Sequence, residues 1–130
     1  RIAVNPHTFG GKIRAPLDLP PLAEHALDSK GHGATSASSM EQLGNYVADV
    51  IKRNRKTFRI VCPDELESNR LGAVLKVTSR QYGWPLPKAA EHIGPEGRVL
   101  EVLSEHNCQG WLQGYLLTGR HGLFHLAVVR

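Results

Sequence analysis

The chain has 130 residues, 41% of them hydrophobic and 22% charged, which is enough for one globular domain and ordinary for that class. Its formal charge of +4 is scattered apart from "KRNRK" at Lys52–Lys56; with no aromatic interleaving and no recognisable motif, this excludes nucleic acid as the expected partner and fits a solvated helix C-terminus. No apolar run reaches the roughly 18 residues of a transmembrane helix, no signal peptide is visible, and Cys62 and Cys108 lack metal or redox spacing, so the expectation is a cytoplasmic protein with no membrane contact.

Residues 1–39 contain "NPHTFGG", "APLDLPP" and "SKGHGATSASS". Pro, Gly and Ser at this density mark a loop-rich connector. A helix is expected over 40–55, where Leu43, Tyr46, Val47, Val50 and Ile51 recur at helical spacing. Ser39 is its expected N-cap, with Gln42 three residues on. "FRIVCP" (Phe58–Pro63) is a short apolar, β-rich run ended by proline, and reads as a buried strand. "DELESNRLGAVLKVTSRQ" opens as a polar loop and passes into a second helix, with Leu71, Val74 and Leu75 on its buried face. Residues 82–97 carry two Pro-containing breaks and end in "GPEG", a loop. "RVLEVL" (Arg98–Leu103) is a second strand. Glu105–Thr118 is a third helix with Cys108, Leu112, Tyr115 and Leu116 on one face, Gly119 at C′, and a basic "GRHG" turn after it. The ending "HLAVVR" has no cap or stop signal, and the start lacks methionine, so a piece of a longer protein is expected.

Helices alternating with strands predict an α/β fold with a parallel sheet and crossover helices. In such sheets ligands bind beyond the carboxyl ends of the strands. "PDELESN" follows the first strand and "SEH" the second. Glu105 and His106 at a helix start either complement the helix dipole or place a partly desolvated carboxylate against a ligand. Ser68, Asn69 and Arg70 are either an ordinary helix cap or an anion site made of a hydroxyl, backbone N–H groups and a guanidinium. The seven histidines show no ligand spacing, so no metal site is expected within the chain, and "FGGK" lacks the frame of a phosphate-binding P-loop.

"FRIVCPDELESNRLGAVLKVT" and "GRVLEVLSEHNCQGWLQGYLLTGRHGLF" closely resemble the thiamine diphosphate-dependent phosphoketolases. The first is similar to the family's "F(R)xFxPDExxSNRL", the second to "GRVxExLSEHxCxGxLxGYLLTGRHG", and "RIAVNPHTFGG" resembles a third segment nearer to "NPHANGG". The resemblance implies a fragment: a connector over 1–39, part of the α/β domain that binds the cofactor's pyrimidine ring over 40–124, and an atypical tail over 125–130. It implies a carbon–carbon lyase cleaving xylulose 5-phosphate or fructose 6-phosphate with inorganic phosphate to acetyl phosphate and an aldose phosphate. Glu105 matches the glutamate that hydrogen-bonds a ring nitrogen of the aminopyrimidine. Asp64 resembles a cofactor-proximal aspartate, Ser68 and Arg70 match positions that look like phosphate contacts, and His121 and His106 lie within the matching motifs. The implied cofactors are thiamine diphosphate and Mg2+, with the metal ligands outside this chain; the implied whole enzyme is at least a dimer.

The pattern departs at two places. Thr8 and Phe9 replace the usual Ala-Asn, and after "GRHGLF" the family's "xSYEAF"-like segment gives way to "HLAVVR", with Ala127 where a tyrosine belongs. The isolated chain is therefore expected to be inactive. The competing reading is a non-catalytic binding or regulatory module that keeps the cofactor-domain fold. Transketolases resemble the chain only around the glutamate.

Overall fold

The computed structural model describes residues 16–63, 66–85 and 91–126. Among them are two α-helices, α1 (Ser39–Arg53) and α2 (Glu105–Leu117), and five strands: β1 (Phe58–Cys62), β2 (Arg80–Gln81), β3 (Ile93–Gly94), β4 (Val99–Glu101) and β5 (His121–Phe124). The strands form one sheet in the order β3-β2-β4-β1-β5, and every pair is parallel. This is the α/β parallel sheet that the alternation predicts.

β1 reads "FRIVC", and all but Arg59 are buried. A strand covered on both faces is apolar throughout, and β1 sits between β4 and β5. Phe58, Ile60 and Cys62 pack with Val47, Val50 and Ile51 of α1 and with Leu71, Val74, Leu75 and Val99 in one core. The alternate residues face α2: a Cβ on Gly122 would lie 2.5 Å from Leu112 Cδ1, and the Arg59 guanidinium lies 5.4 Å from the Tyr115 ring centre. Each fully buried Ile, Leu or Val contributes about 1.5–3 kcal/mol, so the α1 face carries most of the stability. On α2 only Cys108 is fully buried; Leu112 and Tyr115 are half-buried, and Leu116 is exposed rather than part of a covered face.

Several local expectations are corrected. The N-cap of α1 is Ser38, not Ser39: its hydroxyl accepts from the Glu41 N–H at 3.3 Å. The predicted second helix is only a 3-10 turn, Gly72–Lys76. Gly72 and the β-branched Val74, Val77 and Thr78 disfavour a longer helix, and the chain must enter β2 by Arg80. Its buried face, Leu71, Val74 and Leu75, is as expected. β2 and β3 lie in or beside the stretch read as loop. "GRHG" is the entry to β5: Gly119 takes a left-handed φ of 84° after α2, and the strand starts at His121. The connector is tied down at Asn54, whose Nδ2 donates to the Asp18 carbonyl at 2.6 Å and whose Oδ1 accepts from Asp18 N at 3.0 Å.

Gly97, between β3 and β4, lies hard against the backbone that enters β2. A Cβ there would fall 2.4 Å from both the Ser79 carbonyl oxygen and the Arg80 carbonyl carbon. Backbone cannot move aside as a side-chain tip can, and overpacking of this kind costs about 1–3 kcal/mol. Gly97→Ala is expected to lower unfolding stability by about 2 kcal/mol in urea titration. Gly83→Ala, where nothing lies within 4 Å, is expected to stay within about 0.5 kcal/mol of the parent.

Candidate active site

Three parallel strands end together. The Val102 N–H donates to the Cys62 carbonyl at 3.1 Å, and the His125 N–H to the Val61 carbonyl at 2.9 Å. These bonds bring the exits of β4 and β5 against the exit of β1. At the β4 exit, Ser104 caps α2, its hydroxyl accepting from Asn107 N at 3.4 Å. Glu105 is therefore the first residue of α2, where a carboxylate gains about 0.3–1 kcal/mol from the helix dipole. It is exposed, as are His106 and Asn107. Among the described residues the Glu105 carboxylate forms no ion pair. An acceptor-only group at a strand exit fits a ligand that offers an N–H. Leu103, 82% exposed, and Leu126, 52% exposed, put apolar surface at the same edge.

One turn along α2, Cys108 closes the floor under this position. It is fully buried, and its thiol donates to the Val102 carbonyl at 3.5 Å. Burial pushes the thiol above its ordinary range, and the nearby Glu105 charge acts in the same direction.

The β1 exit leads through buried Pro63 to a turn at 66–71. Arg70 N donates to the Glu67 carbonyl and Leu71 N to the Leu66 carbonyl, both at 2.9 Å. Arg70 has a left-handed φ of 63°, a conformation that costs a non-glycine residue about 1–2 kcal/mol. The turn is accommodated by Gly44 of α1, where a Cβ would lie 3.1 Å from the Arg70 carbonyl oxygen and from Leu71 Cα. Ser68 and Arg70 are exposed and Asn69 is half-buried. Arg70 borders a cavity of about 330 Å3 with Glu41, Asn45, Glu67 and Lys76. Asp64 lies outside the described residues.

Beneath this turn is a charged network that sequence reasoning missed. Glu101, the last residue of β4, lies opposite Cys62 in register, and its side chain is 8% exposed. Its carboxylate accepts from Arg80 Nε and from the Cys62 thiol, the latter at 3.3 Å. Arg80 also donates through an outer nitrogen to Glu67 at 2.8 Å. Burial works against the Arg80 charge, but the two carboxylates outweigh it and hold the guanidinium above its ordinary value. The one sequence signal was a glutamate inside the apolar run "RVLEVL"; nothing local named Arg80 as its partner.

Not every candidate converges. His121 opens β5 level with Phe58 at the start of β1, so it lies at the amino end of the sheet, away from Glu105. A cavity of about 460 Å3 is also at that end, between Ile51, Arg55, Thr78 and Arg98; no strand exit reaches it. Among the described residues no group of three or more His, Cys, Asp or Glu gathers to hold a metal, and no helix is long and apolar enough to cross a membrane.

An all-parallel α/β sheet with an open carboxylate at its strand exits belongs to the class of folds that bind ligands at that edge. The comparisons give the family. A family model described as D-xylulose 5-phosphate/D-fructose 6-phosphate phosphoketolase matches residues 41–127. The chain is 54% identical over 126 residues to a protein named "Probable phosphoketolase" from Mesorhizobium japonicum. It is 48% identical over 126 residues to one of the same name from Rhodopseudomonas palustris, and 47% over 125 residues to one from Mycobacterium avium. Each alignment covers 95–96% of this chain and 16% of the relative. The chain therefore belongs to the phosphoketolase family, and it spans about one sixth of the length of these curated relatives.

Because the folded Cys108 thiol is held above its ordinary value, its contribution is present below an unfolded thiol pKa of about 8.5. It is lost as pH rises through the raised folded value. The parent is expected to lose more stability between about pH 8 and pH 10 than Cys108→Ala does, as read from urea midpoints. Equal losses would show that the thiol titrates alike in both states.

Proposed function

We propose that this chain supplies the pyrimidine side of the thiamine diphosphate site in a phosphoketolase. The whole enzyme, on this reading, cleaves xylulose 5-phosphate or fructose 6-phosphate with inorganic phosphate to give acetyl phosphate and an aldose phosphate. The observation that carries the reading is the open Glu105 carboxylate at the first position of α2, beside three joined strand exits. Family membership at 54% identity supports it.

When bound, the cofactor supplies the carbanion chemistry. The residues of this chain bind, orient and hold protons. Glu105 accepts a hydrogen bond from a ring nitrogen of the aminopyrimidine and fixes which nitrogen carries the proton. The Leu103 and Leu126 side chains offer apolar surface for the ring faces. Ser68 and Arg70 bind the phosphate of the sugar or the attacking inorganic phosphate, by a hydroxyl and a guanidinium fork. Asp64 lies near the cofactor, and His106 follows Glu105 at the same edge. Mg2+ and the diphosphate fall to residues outside this chain, and the whole enzyme works as at least a dimer in the cytoplasm. The alternative reading, a non-catalytic module, keeps the same fold and edge and lacks turnover in any assembly.

In the complete enzyme, Glu105→Gln is expected to lower acetyl phosphate formation by about 100-fold or more. Without cofactor, the substitution should cost no more than the about 0.3–1 kcal/mol of the helix-dipole interaction. Turnover at the parent rate would overturn the assignment. The 130-residue chain alone, given sugar phosphate, inorganic phosphate, Mg2+ and thiamine diphosphate, is expected to form no acetyl phosphate.

A further inference from the structure

We infer that Arg80 is a positioning residue for the Ser68–Arg70 turn, acting through Glu67. The inference rests on reading that turn as a phosphate site. Arg80 is anchored from below: its Nε donates to Glu101, a carboxylate only 8% exposed, at the end of a central strand. From that anchor an outer nitrogen reaches Glu67 at 2.8 Å. Glu67 is the residue immediately before Ser68, and its carbonyl accepts the Arg70 N–H that closes the turn. Among the described residues, Arg80 is the only ion-pair partner of Glu67. One guanidinium thus ties the residue that opens the turn to the buried floor of the sheet.

The turn needs such a tie. Arg70 is held in the left-handed region, which an arginine leaves readily unless its surroundings fix it. Gly44 restrains the turn from the α1 side; Arg80 restrains it from the sheet side. Arginine suits the task, because its planar fork serves two carboxylates at once and a single ammonium does not.

A carboxylate beside a phosphate site has two opposite effects, and this makes the test decisive. If Glu67 contributes only negative charge, removing it tightens phosphate binding. If it positions the turn, removing it weakens binding. Inorganic phosphate is titrated into the complete enzyme at constant ionic strength, and its dissociation constant is read by calorimetry.

Arg70→Ala is expected to abolish the saturable binding heat. Glu67→Ala is expected to weaken phosphate by about three-fold, the scale of one exposed ion pair, with an unchanged melting temperature. R80K, whose ammonium stays with Glu101 and releases Glu67, is expected to weaken it equally, and E67A adds nothing further in that background. Unchanged or tighter binding in E67A, with R70A still defective, overturns the positioning role and leaves the phosphate site standing. No saturable binding by the parent, or no effect of R70A, removes the phosphate site and the inference with it.

Discussion

Glu101 is an ionisable side chain on the core face of a central parallel strand, and a charge in that position requires a partner. Arg80 provides it from the neighbouring strand. Arg80 is 24% exposed, so losing it costs less than the about 3–5 kcal/mol of a fully buried pair, yet it still leaves the Glu101 carboxylate without compensation. The requirement explains why a strand of only two residues, β2, holds its place beside β4: its backbone ladder is minimal, and the side chain of its first residue is fixed at both ends. The same guanidinium carries the restraint upward to the turn after β1. The pair therefore joins the order of the sheet to the shape of the edge above it.

That edge presents its polar groups for two separate physical reasons. At the β4 exit, Ser104 stops the strand and caps α2, so the first helical side chain, Glu105, stands clear of the sheet in the positive field of the helix start. At the β1 exit, Pro63 ends the ladder, and the chain doubles back through a left-handed residue against Gly44. Between them the Cys62 carbonyl receives the Val102 N–H. The carboxylate and the guanidinium thus come from exits of adjacent strands, which is where a parallel sheet concentrates ligand contacts.

Much of this was legible in the sequence. β1 and β4 are apolar, β-rich runs ended by proline or a helix cap, and α1 shows a clear helical period. Their alternation was enough for the parallel α/β class. β2 and β3 were not legible, because two residues carry no periodicity; they exist because β4 leaves a free edge. β5 was hidden by its glycine. Gly122 reads as a turn residue, yet it lies inside a strand because Leu112 occupies the space a Cβ would need. The polar groups flanking the strands were visible as candidates. The Glu67–Arg80–Glu101 network was not, since its members are 13 and 21 residues apart in sequence and only the sheet order brings them together. His121 was misleading for the same reason: its motif adjoins α2 in the chain, but the parallel register sends it to the opposite end of the sheet.

The most direct test of the account is a crystal structure of the complete enzyme with thiamine diphosphate bound, measuring the distance from the Glu105 carboxylate to the nearest pyrimidine ring nitrogen. A hydrogen bond of about 2.6–3.2 Å is expected, with α2 starting at the same residue. A pyrimidine ring held by another carboxylate, with Glu105 directed into solvent, would contradict it.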